Sequence, residues 1–267
     1  MPTPEPYKIY AINYGLHERR VRENFITSHD DHDGPMPINF YVWAVVSAQR
    51  SFLVDTGFRQ EVAAQRHRTI TRPVAEGLKR IQIEVRELRD VIVTHMHYDH
   101  AGNLDLFPNA RLHIQDDEVN FVTGRCMTHG AFRHPVEAED VVTLVRRNFA
   151  GQVQFHDGDE EIAPGVSVHR IGGHTKGLQA VRVWTQRGWV VLASDASHFY
   201  ANMNAGRPFP IVYNVHDMLE GHRRLLALAE SPDHVIPGHD PLVQSRYPKA
   251  VSGLNDIVRL DLDPAAA

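Results

Sequence analysis

Residues 94–100 read Thr-His-Met-His-Tyr-Asp-His and directly follow the apolar run 91–93. Three histidines and one aspartate fall within six residues, at His95, His97, Asp99 and His100. Neutral imidazole and carboxylate are ligands that zinc and similar divalent metals prefer. Side chains that alternate in direction cannot all reach one ion, but two can reach one ion and two a second ion nearby. Because active sites of α/β proteins collect at the carboxyl ends of strands, this stretch predicts a metal site rather than a solvated loop.

Three later residues share one context, an apolar strand followed by small turn residues and then a candidate ligand. They are His174, Asp195 and His239. A single histidine or aspartate at the end of a strand is more often structural than a ligand. Together with the first stretch, however, they make five histidines and two aspartates at strand ends. That set is enough for two metal ions that each keep an open or water-filled position, which is typical of catalytic zinc.

The composition is that of a soluble globular protein with a sizeable core. Of 267 residues, 42% are hydrophobic and 23% are charged, which suits one large domain or two small ones. The net charge of −5 disfavours a nucleic-acid partner, because phosphate binding needs a basic surface. The single Cys126 excludes an intramolecular disulfide and a cysteine-rich metal site. Since no apolar stretch has the length of a signal-peptide core or a membrane span, we expect a cytoplasmic protein with no membrane partner.

Strand patterns and helix patterns alternate in blocks along the chain. Apolar runs predict strands at 7–14, 38–46, 51–54, 90–94, 110–115, 179–184, 189–193 and 234–236. Helical spacing predicts a helix at 215–229 and another at 136–150, with Val141, Leu144, Val145 and Phe149 on one face. Two sheets packed face to face with helices outside satisfy this order. The polar loop 16–37 contains an acidic run with one histidine, 30–33, which we interpret as solvated.

The candidate ligands, read in chain order, resemble the pattern of the metallo-β-lactamase superfamily. The matching residues are His95-x-His97-x-Asp99-His100, His174, Asp195 and His239. The resemblance implies an α/β protein with a four-layer αββα sandwich. It also implies one metallo-β-lactamase-like domain over 1–267, with a core of about 38–240 and an N-terminal strand and loop at 7–37. The turn Asp55-Thr56-Gly57 is similar to the superfamily's early Asp-x-Gly turn, so Asp55 is expected to accept a hydrogen bond from a ligand histidine.

Two short segments, at 99–103 and 173–179, resemble those of the N-acyl-homoserine lactonases within that superfamily. The resemblance implies one metal ion at His95, His97 and His174. It implies a second metal ion at Asp99, His100 and His239, with Asp195 bridging both. The cofactor would be two divalent metal ions per chain, with zinc as the first candidate and manganese, iron or cobalt left open.

The reaction implied by this resemblance is the opening of a lactone ring by a metal-bridging hydroxide, with Asp99 carrying the proton. One position departs from the lactonases. Their substrate-facing tyrosine lies three residues beyond the bridging aspartate, where this chain has His198. Either His198 donates a similar hydrogen bond to the substrate carbonyl or Tyr200 does so in its place.

Irregular segments rich in aromatic and methionine side chains are expected to build the substrate pocket. The candidate substrate-binding residues are Met127, Phe132, Phe199, Met203 and Phe209. Arg125, Arg133 and Arg207 are candidates for contact with a substrate carboxylate, although each alone reads as a surface charge.

The expected partner is a small-molecule lactone, and the sequence leaves a homodimer open. Other functions on the same scaffold stay open as well. They are hydrolysis of another ester, a thioester or a cyclic amide, a mononuclear iron dioxygenase, a nuclease, and a metal-binding protein without activity.

Overall fold

Two β-sheets pack face to face in this protein, and helices cover their outer faces. The computed structural model describes residues 4–27 and 33–265. The four layers confirm the αββα sandwich that the sequence predicts. No helix within these two ranges is both long and apolar enough to cross a membrane.

The secondary structure in the described ranges is as follows. The strands are β1 (Lys8–His17), β2 (Ile38–Val46), β3 (Ser51–Val54), β4 (Thr69–Ile70), β5 (Asp90–Ile92), β6 (Arg111–Gln115), β7 (Val153–His156), β8 (Glu160–Ala163), β9 (Val166–Arg170), β10 (Gln179–Thr185), β11 (Gly188–Ser194), β12 (Val235–Pro237) and β13 (Ile257–Arg259). The α-helices are α1 (Gln60–Gln65), α2 (Val74–Arg80), α3 (Tyr98–Ala101), α4 (Asp116–Thr123), α5 (Gly130–Arg133), α6 (Ala138–Phe149), α7 (Tyr200–Ala205), α8 (Val215–Leu228) and α9 (Pro241–Arg246). Short 3₁₀ helices lie at Val21–Glu23, Leu104–Leu106, Arg125–Thr128 and Pro232–His234.

Parallel strand pairs bring several strand ends to one edge of the sandwich. The first sheet has the order β13-β1-β2-β3-β5-β6-β7, with β4 beside β1, and the second has the order β12-β11-β10-β9-β8. Strands β3, β5, β6 and β7 are mutually parallel neighbours, and β11 is parallel to β12. Asp55, residues 94–100, Asp195 and His239 each follow the carboxyl end of one of these strands. The topology therefore gathers separate stretches of the chain at one edge.

Strand β2 shows why the inner strands read as continuous apolar runs. Successive side chains of a strand point to opposite faces of the sheet. Phe40 and Val42 belong to the core under the helices of the first sheet, whereas Tyr41 and Trp43 belong to the core between the sheets. Because both faces of this strand are buried, apolar residues do not alternate with polar residues along it. A third apolar cluster, which includes Ala193 and Leu225, joins the second sheet to α8.

The predicted hairpins at 38–54 and 179–193 and the helix at 215–229 are present, with bounds that agree within two residues. The N-terminal strand β1, however, lies inside the first sheet, between β2 and β13. The tail of the sequence shows no strand pattern, yet β13 lies there and pairs Ile257 with Ile12. Three residues are too short a run for a reliable strand pattern, and this strand exists because β1 supplies its hydrogen-bonding partner.

The apolar face predicted for α6 is wrong in part. Leu144 is buried, but Val145 is 39% exposed and Phe149 is 89% exposed. Arg147 is buried in their place, because its guanidinium donates to the carbonyl oxygens of Phe107 (3.0 Å) and Ala110. These hydrogen bonds join the Arg147 side of α6 to the loop that precedes β6.

Candidate metal centre

The turn that follows β3 anchors the loop 94–100. Asp55 has a φ of 63°, and its carboxylate accepts hydrogen bonds from the backbone N–H of Thr94 (2.8 Å) and from its hydroxyl (2.8 Å). The other contact of this carboxylate is with His100 Nδ1 at 2.7 Å. Asp55 thus ties the end of β3 to both ends of the histidine-rich loop.

The structure brings all seven candidate ligands together in two groups. His95, His97, His174 and Asp195 place one possible ligand atom each within 4.8 Å of one another. Asp99, His100 and His239 form the second group, within the same distance. Every one of these residues is at most 8% exposed.

Asp195 faces both groups, one with each carboxylate oxygen. Its Oδ2 lies 3.2 Å from His174 Nε2 and 3.7 Å from His95 Nε2. Its Oδ1 lies 2.9 Å from His239 Nε2 and 3.3 Å from His100 Nε2. A Cβ atom on Gly238 would lie only 2.8 Å from Asp195 Oδ1, so the approach of the β12 turn to this carboxylate requires glycine there.

Hydrogen bonds on the far side of two imidazoles set which nitrogen faces the cluster. His100 Nδ1 contacts Asp55 Oδ2 at 2.7 Å, and His239 Nδ1 contacts the backbone oxygen of Asn39 at 2.8 Å. Both partners can only accept, so each Nδ1 carries a hydrogen and each Nε2 faces Asp195. This is the arrangement found around histidines that bind metals.

Several buried atoms of the cluster lack a hydrogen-bonding partner among the residues described. They are His95 Nε2, His100 Nε2 and Asp195 Oδ1. An unsatisfied buried polar group costs about 1–3 kcal/mol, so such a concentration is unusual in a site without an occupant. Nitrogen and carboxylate oxygen atoms that converge in this way are a donor set that divalent cations accept.

The electrostatics of the cluster also fit a cation. Burial lowers the pKa of His95 and of His97 well below the ordinary value, so both imidazoles are neutral, the form that binds metals. His100 differs: burial lowers its pKa, but the carboxylates of Asp195, Asp99 and Asp55 outweigh this and raise it well above the ordinary value. These carboxylates favour a positive charge at the cluster, which a metal ion supplies as well as a proton does.

A narrow cavity of about 60 Å³ opens onto the cluster. Asp99, Asp195 and His239 line it, together with His198 and Phe209. The rings of His198 and Phe209 are stacked, with centroids 3.6 Å apart and planes 5° apart. His198 Nε2 lies 3.1 Å from Asp195 Oδ2.

Tyr200, the alternative to His198, does not line this cavity. It lies in α7, and its ring has the guanidinium of Arg246 at 5.0 Å from the centroid. Burial raises its pKa far above the ordinary value. Of the two side chains that the sequence offers for contact with a substrate carbonyl, only His198 is in place.

Four of the five aromatic and methionine residues expected in the pocket lie elsewhere. Phe209 lines the cavity, whereas Phe199 is buried in the core of the first sheet. Met127 and Phe132 pack against that same core, and Met203 packs against the cluster beneath α8. Residues of this type in irregular segments serve to fix loops onto the domain as readily as to bind a ligand.

The arginines expected to meet a substrate carboxylate are not in the cavity wall either. Arg133 donates to the backbone oxygen of Met127, Arg207 donates to that of Thr27, and Arg125 is exposed. The arginines that do line the cavity are Arg19, Arg66 and Arg68.

Glu118 supports the cluster, a role that the sequence does not predict. Its carboxylate is fully buried and accepts from the backbone N–H of Met96 (2.8 Å), the hydroxyl of Thr175 (2.5 Å) and the backbone N–H of Gly177 (3.1 Å). It therefore joins the loop of His95 and His97 to the loop of His174. In the sequence it is one of three consecutive acids at a helix start, and nothing there distinguishes it from its neighbours.

A family model of the metallo-β-lactamase superfamily matches residues 34–239 of this chain. The protein therefore belongs to the metallo-β-lactamase superfamily, which confirms the resemblance seen in the sequence.

The chain is similar to N-acyl homoserine lactonases. It is 27% identical to N-acyl homoserine lactonase AiiB of Rhizobium rhizogenes, over 87% of this chain and 93% of that protein. It is 28% identical to N-acyl homoserine lactonase AiiA of Bacillus thuringiensis subsp. kurstaki, over 64% of this chain and 70% of the relative.

Solved structures share the fold at lower identity. A quorum-quenching N-acyl homoserine lactone lactonase superposes with a TM-score of 0.74 at 22% identity, covering 90% of this chain and 95% of that one. The dizinc quorum-quenching lactonase AidC superposes with a TM-score of 0.67 at 16% identity, covering 90% of each chain.

Proposed function

We propose that this protein is a metal-dependent hydrolase that opens the ring of a lactone. The observation that carries the proposal is the position of Asp195, whose two oxygens face two separate groups of candidate ligands beneath one cavity. A carboxylate in that position suits two metal ions better than one, which favours a dinuclear hydrolase over a mononuclear dioxygenase. Similarity to N-acyl homoserine lactonases along most of the chain supports a cyclic ester as substrate.

Each group of ligands is assigned one divalent metal ion, with zinc as the first candidate. His95, His97 and His174 would hold one ion, and Asp99, His100 and His239 would hold the other, with Asp195 shared. When bound, the ions lower the pKa of a water molecule and stabilise negative charge on oxygen. Asp55 holds His100 in the tautomer that leaves Nε2 free for such an ion.

Asp99 is assigned the transfer of the proton. Its Oδ2 lies 3.5 Å from His100 Nε2 and 3.7 Å from His239 Nε2, and it lines the cavity. As the water oxygen adds to the carbonyl carbon, the Asp99 carboxylate takes the proton that the water loses. The ring C–O bond then breaks, and the same proton passes to the alkoxide that leaves. The product is an open-chain hydroxy acid, and Asp99 returns to its initial state.

His198 is assigned a hydrogen bond to the substrate carbonyl. Its ring is held by stacking on Phe209, and its Nε2 lies within reach of Asp195 Oδ2 at the edge of the cluster. A donor fixed at that point stabilises the charge that develops on the carbonyl oxygen during attack.

A hydrolysis screen with metal quantified tests this proposal. Purified protein is offered N-acyl-homoserine lactones, γ- and δ-lactones, aromatic lactones and a thioester, and acid release is followed with a pH indicator. We expect turnover of at least one lactone, no turnover by the chelated protein, and two metal ions per chain. Hydrolysis of the thioester alone, or one iron per chain without lactone turnover, would contradict the assignment.

A further inference from the structure

Two guanidinium groups in the cavity wall have no carboxylate partner in the described parts of the chain. Arg19 donates to the Asn24 side chain (2.7 Å) and to the backbone oxygen of Glu23. Arg68 donates to the hydroxyl of Tyr98 (3.1 Å) and to the backbone oxygen of Arg66 (2.6 Å).

Arg66, the third arginine of the wall, differs because it forms an ion pair with Glu137 at 2.6 Å. Among the residues described, Arg19 and Arg68 therefore form no ion pair with a carboxylate, although the charge of Glu23 acts on Arg19. The whole chain carries a net charge of −5, so this concentration of positive charge is local.

The pKa of His17 reflects the same local positive charge. Its Nδ1 lies 3.3 Å from Arg68 Nη1, so the guanidinium donates to a neutral imidazole. Burial lowers the pKa of His17 to about 4, and the charges of Arg68 and Arg19 contribute to that shift. A third positive charge is thus disfavoured beside the two guanidinium groups.

Both arginines are connected to the candidate metal centre through the wall of the cavity. The Arg19 guanidinium lies over the Phe209 ring, 4.9 Å from its centroid, and Phe209 stacks on His198. On the other side, Arg68 holds the hydroxyl of Tyr98, the residue between His97 and Asp99. Both arginines also line the cavity that opens onto the cluster.

We infer that the substrate of this site is a compact lactone that carries a carboxylate, which Arg19 and Arg68 bind while the ring carbonyl lies over the cluster. The inference rests on the proposed lactone hydrolysis. Guanidinium groups form strong charge-assisted hydrogen bonds to carboxylates, and those bonds gain strength where water is excluded. The cavity is narrow, at about 60 Å³, so the part of the substrate that reaches the cluster through it is compact. A phosphate group has the same attraction to arginine but needs more room.

A matched pair of lactones tests the inference directly. One is a γ-lactone with a carboxylate on the ring, and the other is its neutral primary amide, which has nearly the same shape. We expect kcat/KM to be at least about 10-fold higher for the carboxylate, because a hydrogen bond to a charged group contributes about 1.5–3 kcal/mol. Equal rates, faster turnover of the amide, or faster turnover of a phosphorylated lactone would overturn the inference.

Substitution of each arginine tests whether that arginine causes the preference for the carboxylate. Arg19→Gln and Arg68→Gln are each expected to lower kcat/KM for the carboxylate by about 10-fold or more, and to change the amide by less than about 3-fold. Arg68→Lys keeps the charge and should recover part of the preference, which separates charge from packing. Arg50→Gln, an exposed arginine in the β2–β3 turn, is the matched control and should leave both rates unchanged. A parallel loss on both substrates would assign the arginines a structural role only.

Binding without turnover separates this inference from the proposed activity. Cyclopentanecarboxylate and cyclopentanecarboxamide, which have no bond to hydrolyse, are titrated into the metal-loaded protein by calorimetry. We expect tighter binding of the carboxylate, with the preference reduced about 10-fold in Arg68→Gln. Unchanged preference in both arginine variants would overturn the inference, even if lactones are hydrolysed. Failure of every lactone in the kinetic screen, with this preference intact, would instead overturn the proposed activity.

Discussion

At the scale of single residues, Asp195 and His239 depend on a very close approach of two turns. Asp195 Oδ1 is 2.9 Å from His239 Nε2, and Gly238 leaves just enough space for that contact. The residue that faces both groups of ligands is thus placed by backbone geometry as much as by its own charge.

We predict that Asp195→Asn will lose most of the bound metal and most of the activity. An amide offers one neutral oxygen where the carboxylate offers two charged ones, so it cannot serve both groups of histidines. The measurement is metal per chain by mass spectrometry beside kcat/KM for the best lactone. Asp263→Asn, at a carboxylate that is 88% exposed, is the control and should retain both. Two metals per chain and full activity in Asp195→Asn would contradict the role proposed for this residue.

His17 gives the protein a dependence of stability on pH. Burial, with Arg68 and Arg19, lowers the pKa of His17 to about 4 in the folded protein, against about 6.5 in an unfolded chain. Between about pH 4 and 6.5 the unfolded state binds more protons at this site, so its contribution to the free energy of unfolding rises with pH and is lost on acidification.

We therefore predict that His17→Gln will flatten the rise in the free energy of unfolding between about pH 4.5 and 6.5. The measurement is urea unfolding at a series of pH values. His67→Gln, at an exposed histidine, should keep the slope of the unmodified protein. An unchanged slope in His17→Gln would show that its imidazole titrates normally in the folded state.

At the scale of secondary-structure elements, α4 joins the two loops that carry the first group of histidines. Glu118 accepts hydrogen bonds from both loops, and Gly177 lies so close to α4 that a Cβ atom there would be 2.0 Å from the backbone nitrogen of Glu118. The helix start therefore fixes the separation of the His95–His97 loop from the His174 loop.

We predict that Glu118→Gln will weaken metal binding and lower stability, because an amide cannot accept from donors on both loops with its nitrogen. A loss of about 1–3 kcal/mol is expected for a buried network left partly unsatisfied. Metal affinity by competition with a chromophoric chelator and unfolding of the metal-free variant are the two measurements. Asp116→Asn, an exposed acid in the same helical turn, should change both only slightly. Unaltered affinity and stability would show that the two loops hold their positions without Glu118.

At the scale of the whole molecule, the cluster lies where both sheets end, so its stability and that of the sandwich are coupled. Candidate ligands come from loops after β5, β9, β11 and β12, which belong to different sheets. Metal ions held by residues of both sheets would join the sheets and stabilise the folded state.

We predict that chelation will lower the temperature and free energy of unfolding. A ligand present at about 1,000 times its dissociation constant stabilises the folded state by about 4 kcal/mol. Scanning calorimetry of the metal-loaded and chelated protein measures the effect, and Asp195→Asn should show a much smaller difference between the two. Equal unfolding temperatures with and without chelator would mean that these residues bind no metal ion that stabilises the folded protein.

The sequence by itself determined the candidate ligands and the class of fold. Metal-binding side chains at short spacing, as in residues 94–100, are readable because the chemistry lies in residue type and the spacing is local. The strands flanking them are readable because burial on both faces produces continuous apolar runs, as in β2.

Only the tertiary structure decided what surrounds the cluster. Arg19 and Arg68 are separated by a whole hairpin and a helix, yet they line one cavity. His198 lies in that cavity and Tyr200 does not, although they are two residues apart. Glu118 joins two loops, whereas the neighbouring Asp116 is exposed. These properties arise from contacts between residues that are distant in the chain. Residue type and local periodicity therefore cannot predict them.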